Sequence, residues 1–473
     1  MRPAREHVLL AAAGASLLAS QVVAAREVGS TFFATELSIL FSTILALAGP
    51  SLGYALSLRF RLSPFVVTLW AMSATVIQCS LPFGIRWMVA SGGRTHPFGV
   101  GLVIALQLFV VLSYYSFLLP HVARPLSVPS LYAAELFGSL FALMGLFVVG
   151  SHSFLLLLCF VLPALFVSFH LGVRWGALCA MCGVCLFCLY PVLSQAIAVS
   201  YYRRHHSVEN ALVVASQYSP YQRIDVVRSG EETLLFLDGV LFFQSGALHA
   251  FNTMLAKVPG RLVYKQNARA LVVGSGSFSS AANLHRLGYS VRVVELDEQV
   301  AELGFRHFAS VHRLQKGDVE LHIGDARSVL DSDDETFDLV VLDVPAPYRI
   351  QTALLHSPAF YRQVLRRLKP EGIVSVSLCG RLGTVVAKQI ASSAKEVFPD
   401  FVVVESESVG MGFLYAGRGL PFSPSSLQSV LHTEEKEGAI IVSRRSVLRE
   451  TLEVPSIGKQ NFLGTLWLVF ESL

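Results

Sequence analysis

The stretch LVIALQLFVVLSYYSFLL, residues 102–119, carries no charge over its whole length, and SFLLLLCFVLPALFVSF, residues 153–169, repeats the pattern. Such runs approach the roughly 20 residues needed to cross ~30 Å of hydrocarbon. In that solvent backbone N–H and C=O groups must be satisfied internally, so a spanning segment of this kind has to be an α-helix. Hydrophobic residues make up 53% of the 473-residue chain and charged residues only 15%, an excess confined to about the first 200 residues. A water-soluble globular protein is thereby excluded for that part, and the lipid bilayer becomes its expected partner.

Spans are expected near residues 7–25, 31–58, 64–90, 98–119, 130–150, 153–171 and 173–199. Arg2 and Arg5 before the first run imitate a signal peptide, but further spans follow at once, which favours an uncleaved first helix. The basic residues of short loops and flanks do not set the orientation, because Arg2, Arg5, Arg59, Arg61, Arg124 and Arg174 balance Arg26, Arg86, Arg94, Arg203 and Arg204. A net charge of +4 without a basic block gives no reason to expect nucleic acid. Arg26, Glu27, Glu36 and Glu135 are ionisable groups at or inside expected spans, and an Arg26–Glu36 tie is the expected use of the first helix pair.

Four cysteines form the run CAMCGVCLFC at Cys179, Cys182, Cys185 and Cys188. On one helix each three-residue step turns about 300°, so the first and last thiols point apart and a single cluster does not collect all four. Small apolar residues on a packing or lipid-facing surface are the expected reading, and no metal is assigned anywhere. His205-His206 after Arg203-Arg204 reads as a basic turn at the membrane exit, with no third ligand beside it. His249 and His356 are ordinary packed or surface histidines as readily as cleft residues.

Beyond Tyr201 the text becomes that of a globular domain. YQRIDVVRS and TLLFLDGVLFF alternate in period two, and Asp238-Gly239 between apolar runs signals a hairpin. LHAFNTMLAK, residues 248–257, has helical spacing. Strand, turn and helix then alternate: ALVVG at 270–274, SVRVVEL at 290–296, VELHIGDAR, FDLVVLD and GIVSVSL at 372–378 supply five strands. This pattern predicts a parallel sheet covered on both faces, whose ligands bind at the carboxyl ends of the strands.

Gly274, Glu295, Asp325 and Asp343 all fall at those ends. Gly274 and Gly276 let the chain turn tightly and let a nucleotide approach the amides of the next helix. Glu295, about 20 residues on, is spaced to accept both hydroxyls of a ribose. Asp325 in IGDAR either binds an adenine amino group or caps the short helix beginning at Ala326. In FDLVVLDVPAPYR, residues 337–349, a strand delivers Asp343 to a turn that two prolines keep from becoming strand or helix. Together these pieces point to an adenosine-type ligand.

Taken in order, Tyr221-Gln222, LDG at 237–239, VVGSGS at 272–277, VVELD at 293–297, GDAR at 324–327, VVLD at 340–343 and FYRQVLRRLKPEG at 360–372 resemble the polyamine (spermidine) synthase family. SQVVAAREVGST at 20–31 is similar to bacterial proteins that fuse a multi-span region to such a domain. The resemblance implies a transmembrane bundle over 1–200 followed by an α/β part: a β-hairpin unit over 217–263 and a Rossmann-like, methyltransferase-type doubly wound parallel sheet over 264–418. No role is read for the extension 419–473. It also implies an aminopropyl transfer from decarboxylated S-adenosylmethionine to an amine, with Gln222, Gly274, Gly276, Ser277, Glu295, Asp325 and Ala326 on the donor and Asp343 deprotonating the attacking amine.

Departures from the family lie on the amine side. Ser277 stands where the family carries an aspartate, Ala346-Pro347 where a second aspartate precedes proline, Ala247-Leu248 where Asp-Glu is usual and Phe251-Asn252 where Tyr-His is usual. A diamine and an aminopropyl ammonium bring about three positive charges, each costly to desolvate unpaired. The same losses remove what would repel the carboxylate of S-adenosylmethionine itself. Three readings therefore stand: a membrane-anchored aminopropyltransferase, a methyltransferase acting on an amphipathic substrate at the membrane, and a transporter or sensor that binds a nucleoside without turnover. A donor made in the cytosol places the C-terminal domain there, in a multi-pass protein of the cell or inner membrane; a homo-oligomer is left open.

Overall fold

The computed structural model describes residues 2–31, 36–93, 96–122, 128–149, 152–245, 249–332 and 334–441. Arg94, Arg124, Ala247, Leu248, the side chains of Glu36 and His249, and the extension beyond residue 441 lie outside the described residues. The chain divides into two compact units, one formed by Met1–Gly230 with Leu237–Val240 and one by Glu231–Phe236 with Leu241–Leu473.

The first unit holds α1 (Arg2–Thr31), α2 (Glu36–Arg59), α3 (Pro64–Met88), α4 (Pro97–Val122), α5 (Val128–Val149), α6 (His152–Val161), α7 (Pro163–Leu171) and α8 (Val173–Arg204). Seven helical stretches among the described residues are long and apolar enough to cross a membrane, at the places read from the sequence. Local chemistry sets their ends. Ser63 caps α3 by accepting the Val66 amide at 3.3 Å, with Pro64 at the first helical position, where its missing N–H costs nothing. Gly172, at φ +98°, separates α7 from α8. The cysteine run lies along the regular helix α8, with Cys182, Cys185 and Cys188 exposed. The His205 ring stacks on Tyr201 at 5.1 Å, and His206 Nε2 lies 3.2 Å from the Tyr201 hydroxyl.

Strands β1 (Leu212–Tyr218) and β2 (Arg223–Ser229) pair antiparallel and complete this unit. The sequence reading starts its strands at Tyr221 and leaves β1 out; only one residue of β1 is buried, so it lacks a full apolar alternation. The expected Arg26–Glu36 tie lies outside the described residues, since it needs the Glu36 side chain, and the described groups beside Arg26 form an ion cluster of their own. Arg26 lies over the Tyr218 ring at 5.6 Å, while its neighbour Glu27 is fully buried and ion-paired to Arg223 at 3.4 Å. Arg223 Nε also meets Asp225 at 3.0 Å, and its Nη2 donates to Ser216 Oγ at 2.7 Å. Tyr218 donates to Glu27 at 2.7 Å, Tyr202 donates to Asp225, and Arg86 of α3 reaches Asp225 at 3.6 Å. Burial raises the Asp225 carboxyl, but Arg223 and Arg86 outweigh it and hold the group below its ordinary value. Gly239, at φ +74°, fits because any side chain there would start 2.3 Å from the Ser30 carbonyl oxygen.

β3 (Glu232–Leu237) and β4 (Val240–Gln244) lie mostly in the second unit, while the residues that join them, Asp238 and Gly239, count with the first; both are at positive φ, as a two-residue hairpin turn of the primed type requires. A helical run follows as His249–Asn252, a wider turn Thr253–Lys257 and Val258–Leu262. Then come β5 (Arg269–Gly274), β6 (Ser290–Glu295), β7 (Glu320–Ile323), β8 (Phe337–Asp343), β9 (Leu368–Ser377), β10 (Asp400–Ser406) and β11 (Met411–Gly417) in one sheet of order β10-β11-β9-β8-β5-β6-β7. Leu339 and Val341 pack into one apolar layer and Val340 and Leu342 into the other, so both faces of β8 are covered as its unbroken apolar text predicts. The sheet is parallel from β9 to β7 but not throughout: β11 runs antiparallel to both β9 and β10. Only the four residues 407–410 join β10 to β11, and so short a link cannot make a parallel crossover.

The buried ion cluster of the first unit generates a test. Arg223→Met leaves Glu27 and Asp225 without their main counter-charge, so thermal unfolding in detergent should show a loss of about 3–5 kcal/mol. Arg203→Met, at an exposed position, should stay within about 0.5 kcal/mol of the parent.

Candidate active site at the strand ends

Parallel pairing brings the carboxyl ends of β8, β5, β6 and β7 to one edge in that order. Gly274 and Asp343 are register partners, and the turn after β5 lies directly on the end of β8. Ser275 N donates to the Asp343 carbonyl at 3.3 Å, and a Cβ on Gly274, whose φ is +83°, would fall 2.2 Å from that oxygen. Only glycine accepts both that conformation and that approach. A Cβ at Gly276 would likewise fall 2.5 Å from Val300, and one at Gly304 would meet the Gly276 carbonyl at 1.8 Å. Helix Glu298–His312 therefore packs against the turn itself, a role for Gly304 that its place in a helical run conceals. Phe278 closes the turn at φ +60° and is buried against Phe305 with ring centroids 6.0 Å apart.

Asp343 is almost fully buried. Its Oδ2 accepts from Ser280 at 2.7 Å, yet burial outweighs the hydroxyls of Ser280 and Ser275 and pushes the carboxyl up to about 6. Ser280 Oγ also lies 3.0 Å from Asn252 Oδ1. The sequence reading missed Ser280, because a serine in the first turn of a helix carries no signal that separates it from ordinary capping chemistry. Glu295 ends β6, is 9% exposed and accepts the Asp297 amide at 3.1 Å. Burial pushes it up to about 7, with Asp297 and Asp343 adding repulsion. Asp297 caps helix Glu298–His312 through the Gln299 amide at 3.1 Å.

Asp325 takes the capping alternative. It accepts the Arg327 amide at 2.9 Å and pairs with the same residue's guanidinium at 2.6 Å, which holds its carboxyl below the ordinary value. Ala326, the first residue of helix Ala326–Ser332, is buried beside it. Ser277 is also buried, and its hydroxyl accepts the Ser279 amide at 3.3 Å. Gln222 belongs to the first unit, in a turn where Ser219 Oγ accepts its amide at 3.0 Å. The Ala346 carbonyl accepts from the Tyr348 amide at 2.8 Å and from Thr352 Oγ1 at 2.9 Å, and its methyl side chain offers no carboxylate at this point of the loop. His356 is packed, not catalytic in placement. Burial pushes it down to about 4, and Nε2, 3.0 Å from the Pro345 carbonyl, must carry the hydrogen and donate.

A glycine turn and buried strand-end carboxylates lie at the edge of a Rossmann-like sheet where folds of this class bind their ligands. The spermine/spermidine synthase domain matches residues 248–406. The polyamine aminopropyltransferase of Thermoplasma acidophilum is 31% identical over 185 residues, which cover 38% of this chain and 67% of that protein. That of Nitrosomonas europaea is 29% identical over 196 residues, 39% of this chain and 58% of that enzyme. The solved spermidine synthase from Thermotoga maritima aligns with a TM-score of 0.41 at 17% identity, over 55% of this chain and 88% of that one. The chain belongs to the spermine/spermidine synthase family, whose members found here are aminopropyltransferases. It spans about half the length of curated relatives such as those of Nitrosomonas europaea and Leptospira interrogans.

The raised carboxyl of Glu295 makes the ligand-free domain pH-sensitive. Its folded value of about 7 lies above the ordinary 4.5, so the stability it contributes is complete below about pH 4.5 and is lost as pH rises through about 7. Glu295→Gln should therefore gain about 2–3 kcal/mol over the parent on going from pH 5 to pH 8, read from urea midpoints without ligand. Equal midpoint differences at both pH values would show that Glu295 is not held in a raised state.

Proposed function

We propose that this protein is a membrane-anchored aminopropyltransferase that takes decarboxylated S-adenosylmethionine as donor and an amine as acceptor. The observation that carries this reading is the pairing of Gly274 with Asp343, which puts a nucleotide-accepting turn and a buried carboxylate at one point, with Glu295 on the adjacent strand. Glu295 accepts the ribose hydroxyls, and Gly274, Gly276 and Ser277 supply the turn over which the donor lies. Asp325 with Ala326 completes the part of the seat that the second unit offers. Asp325 serves only by exchanging its Arg327 pair for the ligand, a small cost for a partly exposed ion pair.

The acceptor nitrogen attacks the propyl carbon bound to sulfur. The C–S bond breaks as the C–N bond forms, the adenosyl thioether leaves neutral, and the nitrogen's proton passes to Asp343. A base must lie within hydrogen-bond reach of that proton and titrate near the working pH, and the value of about 6 for Asp343 suits this role. The seven apolar helices span the bilayer in this reading, and the catalytic domain faces the cytosol, where the donor is made.

A second reading rests on a specific observation: Ser277, Asn252 and Ala346 are neutral where the family is charged or carries histidine, and Ser277 and Asn252 are buried. Such a pocket accommodates the carboxylate of intact S-adenosylmethionine and methyl transfer from it. Calorimetry with both donors separates the two. Glu295→Ala should abolish binding of either, because it strands the ribose hydroxyls. Ser277→Asp should leave decarboxylated S-adenosylmethionine bound at least as tightly and, if intact S-adenosylmethionine is the natural donor, weaken that ligand by roughly 1–3 kcal/mol through like-charge repulsion. Unchanged binding in Glu295→Ala would remove the donor site altogether.

A further inference from the structure

Ser280 is fully buried, and its hydroxyl oxygen lies between two groups drawn as acceptors, Asp343 Oδ2 at 2.7 Å and Asn252 Oδ1 at 3.0 Å. A hydroxyl has one proton, so it can donate to one of these and must accept from the other. The charged acceptor wins that proton, because a hydrogen bond to a carboxylate is about twice as strong as one between neutral groups. Asn252 must then turn its NH2 to Ser280, the other of two amide orientations that differ only in the placing of N and O.

We propose that Ser280 is the positioning residue for Asp343, and that Asn252 donates to Ser280 so that the three side chains form a directed relay, Asn252 to Ser280 to Asp343. The relay commits Oδ2 to the protein and fixes the orientation of the carboxylate. It answers a specific difficulty of this site. Asp343 is buried, and among the described residues no cation pairs with it, so hydrogen bonds alone oppose its protonation near neutral pH. Helix Ser279–Arg286 brings Ser280, and the helical turn His249–Asn252 brings Asn252, so two separate elements hold the base in one orientation. The assignment of Asp343 as base rests on the function proposed above; the relay itself does not.

The test follows the carboxyl directly, by infrared difference titration of the ligand-free protein, with Asp343→Asn identifying the band. The parent midpoint is expected near pH 6. Ser280→Ala should raise it by about one pH unit, a tenfold change in proton affinity, because a donor to the ionised form is lost. Ser280→Thr, which keeps the hydroxyl, should return it to the parent value. Asn252→Leu removes the outer donor and leaves Ser280 in place, and should raise it by about half as much. An unmoved midpoint in Ser280→Ala overturns the relay. If that variant does not fold, an unmoved or lowered midpoint in Asn252→Leu does so instead. In amine-transfer assays the acid limb of kcat/KM should shift with the midpoint while donor affinity stays constant. A shifted midpoint without transfer to any amine keeps the relay and removes the aminopropyltransferase reading.

Discussion

The contact of Gly274 with the Asp343 backbone organises the catalytic unit. The chain builds outward from β5 to β6 and β7, then returns to place β8 and β9 on the other side of β5. The crevice of an open α/β sheet lies where the strand order reverses, and here that point is between β5 and β8. Gly274 and Asp343 end those two strands in register. The glycine turn and the acid beside it are thus one structural feature, and a Cβ 2.2 Å from the Asp343 carbonyl oxygen would separate them.

The electrostatics of the site follow from that arrangement. Asp343 and Glu295 end strands on either side of the same turn, both buried, and both pushed up, to about 6 and about 7. Neutral donors stabilise them: Ser280 on one and the Asp297 amide on the other. In the proposed reaction a sulfonium brings the missing positive charge, and an opposite charge within a few ångströms favours the ionised form of an acid. Donor binding would then convert Asp343 from a partly protonated group into a competent base, which couples the arrival of the donor to activation of the acceptor.

Much of this site was legible before any coordinates, because its determinants are local. An apolar run ending in a single acid marks a strand end, and Asp238-Gly239 marks the turn of the β3–β4 hairpin. The parts that were not legible depend on contacts across the sequence. β1 has too few buried residues to announce itself, and β11 takes its direction from a four-residue link. Asp325 reads as a ligand or as a cap, and its pairing with Arg327 is not visible in the sequence. Ser280 and Asn252 stand 28 positions apart, and nothing in either neighbourhood predicts their meeting.

The first unit shows the same limit in its strongest form. Glu27, Arg86, Arg223 and Asp225 come from α1, α3 and β2; Arg223 and Asp225 are neighbours in sequence, but Glu27 and Arg86 reach them from distant parts of the chain. The sequence reading gives Glu27 no partner, and burial is what selects one. Glu27 is fully buried, whereas its neighbour Arg26 lies over the Tyr218 ring. A buried carboxylate without a cation is costly, and Arg223 can supply one only when β2 lies in a single register against α1. Shifting β2 by one residue would turn Arg223 and Asp225 to the other face together and leave Glu27 unpaired. The cluster is therefore better understood as a selector of strand register than as a source of net stability, since well-packed apolar residues could hold the same elements together without specifying which residue goes where.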